Sequence, residues 1–418
     1  MAAQGHCDPR FDRVREVFEG HFAAGEELGA AFAVHLDGEP VVDLWDGVAD
    51  RHTGRPWERD TPVFSYSCTK AVAATVLLRL AERGLVDVTA PVAEVWPEFA
   101  AAGKERVTVE HLITHQAGLP VVESPVPVEE FGDMPAIADR LAGQAPLWEP
   151  GTAHGYHSIT YGFLAGEVVR RVTGSSVGEL LAEEIAGPRG LAMWLGAPAD
   201  VITRAARLSA GDRVAPGAGG NAAAERKGAE KAGARSAERA AAPGAAAGPS
   251  QDPWQAVATA ALDRDSLMNR AMANPNLDLL KGGANHPTIM AAGWPAVGLI
   301  TTARDLAGFY RDLVAGELLK PETLRDATRR RVQGPDRVLV LDSSFGLGYM
   351  RPSMTFPTPR AGVETAFGHN GLGGSLGLGD VRHRLGMAYT MNRLVQTTTG
   401  NARAYRLAEA VYDCLDKP

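Results

Sequence analysis

Strand-like runs stand near both ends of this 418-residue chain, and the long stretch between them reads as helix and loop. Gly29 to Leu36 and Pro40 to Trp45 are joined through Asp37-Gly38, a dipeptide suited to a two-residue hairpin turn. Towards the other end, strand-like runs fall at Arg337 to Leu341, Gly346 to Met350, Gly373 to Gly379 and Leu385 to Met391. Such a distribution predicts one antiparallel sheet drawn from both ends of the chain. Phe11 to Phe22, Ala303 to Ala315 and Ala402 to Cys414 read as helices that flank it. The expected fold class is α+β, an antiparallel sheet flanked by helices plus a mainly helical lobe. The sheet lobe would take residues 1–65 and 285–418, and the helical lobe residues 66–284. A cleft between the two is the expected place for a site.

Ser67-Cys68-Thr69-Lys70 lies where strand-like Thr61 to Tyr66 gives way to an Ala-rich apolar helix reaching Leu85. Helical spacing puts residues i and i+3 on one face, so the Lys70 amine can reach the Ser67 oxygen. A serine hydroxyl needs an adjacent base, and a desolvated lysine can be one. The plainer reading is a helix-capping serine followed by a solvated lysine. The chain has seven lysines, yet only Lys70 has a serine three residues upstream. Two later segments add chemistry. Tyr156-His157-Ser158 follows the turn-rich Trp148-Glu149-Pro150-Gly151 and precedes a helix from Ile159 to Val172; its phenol can relay a proton. Ser158 is expected to hydrogen-bond Lys70 or a substrate carbonyl. Phe367-Gly368-His369-Asn370-Gly371 then opens a glycine-rich stretch running to Asp380.

The order Ser-x-x-Lys, Tyr-x-Ser, His-x-Gly resembles the three-motif signature of the serine β-lactamase and penicillin-binding-protein superfamily. It is most similar to class C β-lactamases and the related family VIII carboxylesterases. His111-Leu112-Ile113-Thr114-His115-Gln116-Ala117-Gly118-Leu119 and Ala296 to Leu306 resemble further segments of that superfamily, so the likeness runs from about Phe11 to Tyr412. The resemblance implies a covalent ester on Ser67, with Lys70 and Tyr156 moving its proton. The backbone N–H groups of Ser67 and Leu372, beside Gly371, would bind the oxyanion. Ser158 and His369 stand where β-lactamases usually carry Asn and Lys, residues that hold the lactam amide and carboxylate. That departure favours an esterase over a lactamase, and acid would be expected to charge His369 and partly restore an anion site. Acyl transfer to an alcohol or amine uses the same residues and stays open, as do D-amino peptidase activity and an inactive binding module.

The net charge of −8 gives no basic field for nucleic acid or anionic lipid, so the expected partner is a small ester or acyl thioester. No cofactor or metal is required by this chemistry. Cys7, Cys68 and Cys414 suggest no disulfide framework, and no stretch approaches the ~18 apolar residues of a membrane span. With no basic-then-apolar leader visible, a cytoplasmic location is expected. Ala215 to Pro249, mostly Ala and Gly without aromatic or branched aliphatic residues, reads as a disordered insertion. Two decoys need weighing. Gly373-Gly374-Ser375-Leu376-Gly377 spells G-x-S-x-G but lacks a helix-forming continuation. His111 and His115 have zinc-ligand spacing without the intervening Glu, and His154 and His157 form another close pair.

Overall fold

The computed structural model describes residues 2–210, 252–395 and 402–415. The insertion expected at 215–249 lies outside these residues. The strands of the two main sheets are, in chain order, β1 (Gln4–Cys7), β2 (Gly29–Leu36), β3 (Glu39–Asp50), β4 (Arg55–Pro56), β5 (Val63–Phe64), β6 (Met193–Leu195), β7 (Leu299–Thr301), β8 (Ala366–Asn370), β9 (Leu376–Asp380) and β10 (Leu385–Met391). The larger sheet runs β1-β3-β2-β10-β9-β8 with β4 on β3, every pairing antiparallel. Its two halves meet where β2 pairs β10, with Ala31 opposite Thr390. The β2–β3 hairpin turns at Asp37 (φ 53°) and Gly38 (φ 89°), both left-handed as the Asp-Gly pair foretold. A smaller sheet, β5-β7-β6, sits beside it.

β2 alternates between two cores, because successive side chains point to opposite faces. Ala30, Phe32 and Val34 join one cluster with Val14 and Phe18 of α1 (Asp12–Ala23) and with Leu407 and Val411 of the last helix (Ala402–Leu415). Ala31 and Ala33 join the other with Leu306, Ala307 and Tyr310 of the helix Ala303–Val314. Burying a side chain such as Phe18 stabilises the fold by about 1.5–3 kcal/mol. The helix that follows β5, here α2 (Cys68–Glu82), is buried along most of its length, with Val72, Val76 and Leu80 inside. It packs against α3 (Thr160–Thr173), which carries its own buried Phe163, Leu164 and Val168.

Two expected strands are absent. Arg337 to Leu341 carries a strand-like run of branched apolar residues but folds as a turn, because the Asp336 carboxylate takes the Val338 and Leu339 N–H groups at 2.9 and 2.8 Å. Gly346 to Met350 is irregular, with Gly348 left-handed (φ 77°) where an added Cβ would stand 2.3 Å from Ala74 Cβ; only Met350 bridges to Gly368. The strand expected from Gly373 to Gly379 begins later, at Leu376, after a turn closed by Gly374 N–H donating to Gly371 O at 3.1 Å.

Candidate active site

Tyr66 occupies the left-handed region at φ 45°, a costly conformation for a non-glycine residue and one that clusters at functional positions. It swings the chain from β5 into α2 and leaves Ser67 at the helix N-cap. The Ser67 side chain makes no capping hydrogen bond. Lys70 is wholly buried, so the plain capping-and-solvation reading fails on both counts. Lys70 Nζ lies 3.1 Å from Ser67 Oγ, 2.8 Å from Ser158 O and 3.1 Å from Ala296 O. Burial, with no carboxylate beside it among the described residues, holds the amine well below the usual lysine range. A neutral amine has two N–H donors and one lone pair. The two carbonyls take the donors, which leaves the lone pair for the Ser67 hydroxyl.

Tyr156 closes over this pair. Lys70 Nζ is 4.7 Å from the Tyr156 ring centroid, and burial raises the phenol's pKa, partly offset by a hydrogen bond with Ser67. Its ring packs against His115 (centroids 4.9 Å apart) and Phe345 (6.1 Å), and its N–H donates to Asp336 Oδ1 at 3.0 Å. His369 lies 6.0 Å from the Tyr156 ring. Its Nδ1 donates to Asn370 O at 2.7 Å, so Nε2 is the unprotonated nitrogen; buried, it has no partner among the described residues. Burial, reinforced by Lys70, pushes His369 down to about 3. The expectation that acid would charge His369 and restore an anion site is therefore corrected: the ring stays neutral across ordinary pH. Ser158 meets Lys70 through its backbone carbonyl, and the residue lines the cleft.

Ser67, Tyr156, Ser158, Gly371 and Leu372 line one cleft of about 620 Å³; Lys70 and His369 lie behind its wall. Apolar side chains dominate the remainder, among them Ile159, Met268, Leu280, Leu339 and Met350. Gly371 must be glycine. A Cβ there would stand 2.2 Å from Ser375 Oγ and 2.5 Å from Ser65 O. That close approach brings Leu372 to the cleft beside Ser67. The Ser67 and Leu372 N–H groups meet no acceptor among the described residues, which leaves both available to an oxyanion.

The decoys resolve. Ser375 is buried, donates to Ser65 O at 3.1 Å, and leads into strand β9, so it lacks the strand-to-helix elbow. His157 receives the Leu119 N–H on Nε2 at 3.0 Å and donates from Nδ1 to Gly155 O at 2.7 Å. His115 Nδ1 takes the His157 N–H, and His111 closes a capping box with Thr108. Cys68, with its thiol pushed up to about 12 by burial, points at His369 O and packs. His115, Phe345 and Asp336 were not anticipated as neighbours of Tyr156. The left-handed His115 (φ 63°) is the nearest thing to a local signal, and it becomes visible only in three dimensions.

An antiparallel sheet with a helical lobe, and a buried lysine beside a serine at the start of the helix that faces the cleft, fit a serine hydrolase. The chain belongs to the beta-lactamase family, whose model matches residues 14–412. It is 35% identical over 405 residues to the esterase/beta-lactamase LipL of Mycobacterium tuberculosis, covering 94% of this chain and 83% of that protein. A family VIII carboxylesterase structure matches with a TM-score of 0.80 at 33% identity, over 99% of this chain and 100% of that one. A penicillin-binding-protein homologue from Caulobacter crescentus matches with a TM-score of 0.79 at 34% identity, with the same coverage. Among the described residues no helix is long and apolar enough to cross a membrane.

Proposed function

We propose that this protein is a carboxylic-ester hydrolase working through an acyl-enzyme on Ser67. The observation that carries the reading is the Lys70 amine, buried and 3.1 Å from Ser67 Oγ, with its other two contacts on carbonyls. As Ser67 Oγ bonds to the ester carbonyl carbon, its proton passes to the neutral Lys70, directly or through Tyr156. The carbonyl oxygen becomes an oxyanion held by the Ser67 and Leu372 N–H groups. Collapse breaks the bond to the alcohol oxygen, which takes its proton from Tyr156, replenished by Lys70. Water then repeats the cycle on the acyl-enzyme and frees the acid.

An ester rather than a lactam substrate is supported by the neutral His369, which supplies no fixed cation at the position where β-lactamases usually carry lysine; the one lysine on the cleft wall among the described residues, Lys281, is exposed and shares that lining with Asp278. The test is labelling with a fluorophosphonate followed by peptide mapping, alongside turnover of p-nitrophenyl esters. A single adduct on Ser67, lost in Lys70→Met, is expected. Ester turnover that survives in Ser67→Ala overturns the reading.

A further inference from the structure

The turn after Asp336 is strained and tightly held, yet the chemistry above gives it no task. Val340 sits at φ 66°, a region that a β-branched residue enters only where its surroundings over-determine it. Asp336 is buried, and its carboxylate makes four hydrogen bonds. Oδ1 accepts from the N–H groups of Tyr156 (3.0 Å), Val338 (2.9 Å) and Leu339 (2.8 Å). Oδ2 accepts from the Ser343 hydroxyl at 2.8 Å. That use of its only proton makes Ser343 Oγ an acceptor towards His154 Nε2, 2.9 Å away. His154 is thereby fixed as the Nε2–H tautomer, and its carbonyl receives the Arg337 N–H at 3.1 Å. His, Ser and Asp thus form a chain with serine in the middle, which is not the order of a catalytic triad. Its free end instead grips the backbone of Tyr156. Val338 and Leu339, held by the same oxygen, line the cleft.

We propose that Asp336 is a positioning residue that sets the Tyr156 phenol over Ser67 and Lys70 and, through the same carboxylate, the Val338–Leu339 cleft wall. Ser343 and His154 orient that carboxylate. The inference rests on the ester-hydrolase reading for its kinetic consequence, though not for its geometry. Asp336 also places a negative charge near the phenol, which together with burial keeps Tyr156 protonated. Removing the carboxylate frees the Tyr156 backbone, so the phenol should be less well placed over the leaving group, and proton delivery there should suffer more than nucleophilic attack. p-Nitrophenolate departs without a proton, whereas an alkoxide needs one.

Two readouts test this in the full-length protein. In the first, tyrosines carry 13C at Cζ, and Tyr156→Phe assigns the resonance. Asp336→Asn, which keeps an acceptor oxygen for the three N–H groups, is expected to move the Tyr156 signal and lower its titration midpoint. In the second, turnover of ethyl butyrate is compared with that of p-nitrophenyl butyrate. Asp336→Ala should depress ethyl butyrate at least ~10-fold more than p-nitrophenyl butyrate, within the range general-acid catalysis supplies. Asp336→Asn and Ser343→Ala should show the same bias more weakly. An unmoved Tyr156 resonance in Asp336→Asn overturns the proposal even if the wild type is an esterase. So does an equal loss on both esters in the folded Asp336→Asn and Ser343→Ala variants. A shifted resonance in a wild type without esterase activity upholds the Asp336–Tyr156 relation and overturns the functional reading alone.

Discussion

The Ser375 hydroxyl donates to the Ser65 carbonyl across 3.1 Å, tying the glycine-rich turn before β9 to the segment that leads into Ser67. The same carbonyl accepts the Cys68 N–H at 3.3 Å, so Ser375 braces the start of α2. Ser67→Ala should lower kcat at least ~1,000-fold, as loss of a nucleophile does. Ser375→Ala should retain most of the turnover and cost about 1 kcal/mol of stability from one buried hydrogen bond. Ester hydrolysis and thermal melts of both variants check this; an acyl adduct on a Ser375 peptide would reverse the assignment.

Gly371 holds β8's exit loop against Ser65 and Ser375, so any side chain must push Leu372 outward. Gly371→Ala is expected to lower kcat by roughly 100-fold, the scale of one lost oxyanion donor. KM should change much less. Equal kinetics for wild type and variant would remove Leu372 from the oxyanion site.

Acid should inactivate the enzyme by charging Lys70. With the amine held below the usual lysine range, it is a free base at pH values where an ordinary lysine is protonated. Single-turnover acylation should rise with pH through that lowered value and then level off, because Tyr156 remains a phenol. A rate that climbs only near about pH 10.4, the ordinary lysine value, contradicts the assignment. The folded chain also binds fewer protons here than the unfolded one between those two values. Lys70's burden on stability is thus greatest at low pH and eases as pH rises through that window.

Burial lowers His157 to about 4, and His21 and His369 to about 3. In the unfolded chain these rings protonate near about pH 6.5. Below that point the unfolded state takes up protons that the folded state refuses, so stability is full above about 6.5 and falls with acid towards about 3. Thermal melts between neutral pH and pH ~4.5 should show the midpoint dropping. An unchanged midpoint would mean that these rings find water or a counter-charge.

Small-ester hydrolysis should exceed cephalosporin hydrolysis by at least ~100-fold in kcat/KM, a difference of about 2.7 kcal/mol in transition-state stabilisation. Acidification should not narrow that gap, because His369 stays uncharged. Comparable efficiencies for nitrocefin and p-nitrophenyl butyrate at neutral pH would restore a lactamase reading.

What local pattern encodes was legible in the sequence. Leu385–Met391 is a strand as its residues indicate, Asp37-Gly38 turns the hairpin, and Ser67 and Lys70 meet one helical turn apart. What failed was local pattern overruled by distant polar contacts. Arg337 to Leu341 has the branched apolar residues of a strand, but Asp336 folds it towards Tyr156, which lies far earlier in the chain. β1 was missed because its residues, Gln4 to Cys7, are polar or half-exposed at a sheet edge and carry no alternation. The neutral state of His369 was hidden for the same reason: burial is a property of the assembled lobes.

The pairing of Ala31 with Thr390 has a consequence for the order of synthesis. A ribosome releases Ser67 and Lys70 long before the Leu372 N–H and the central strand β10. Contacts this remote in sequence form slowly and after most of the loop entropy has been met. Nascent chains stalled before residue 372 should therefore be inert to a fluorophosphonate, and reactivity should arrive in one step with the closing of the sheet.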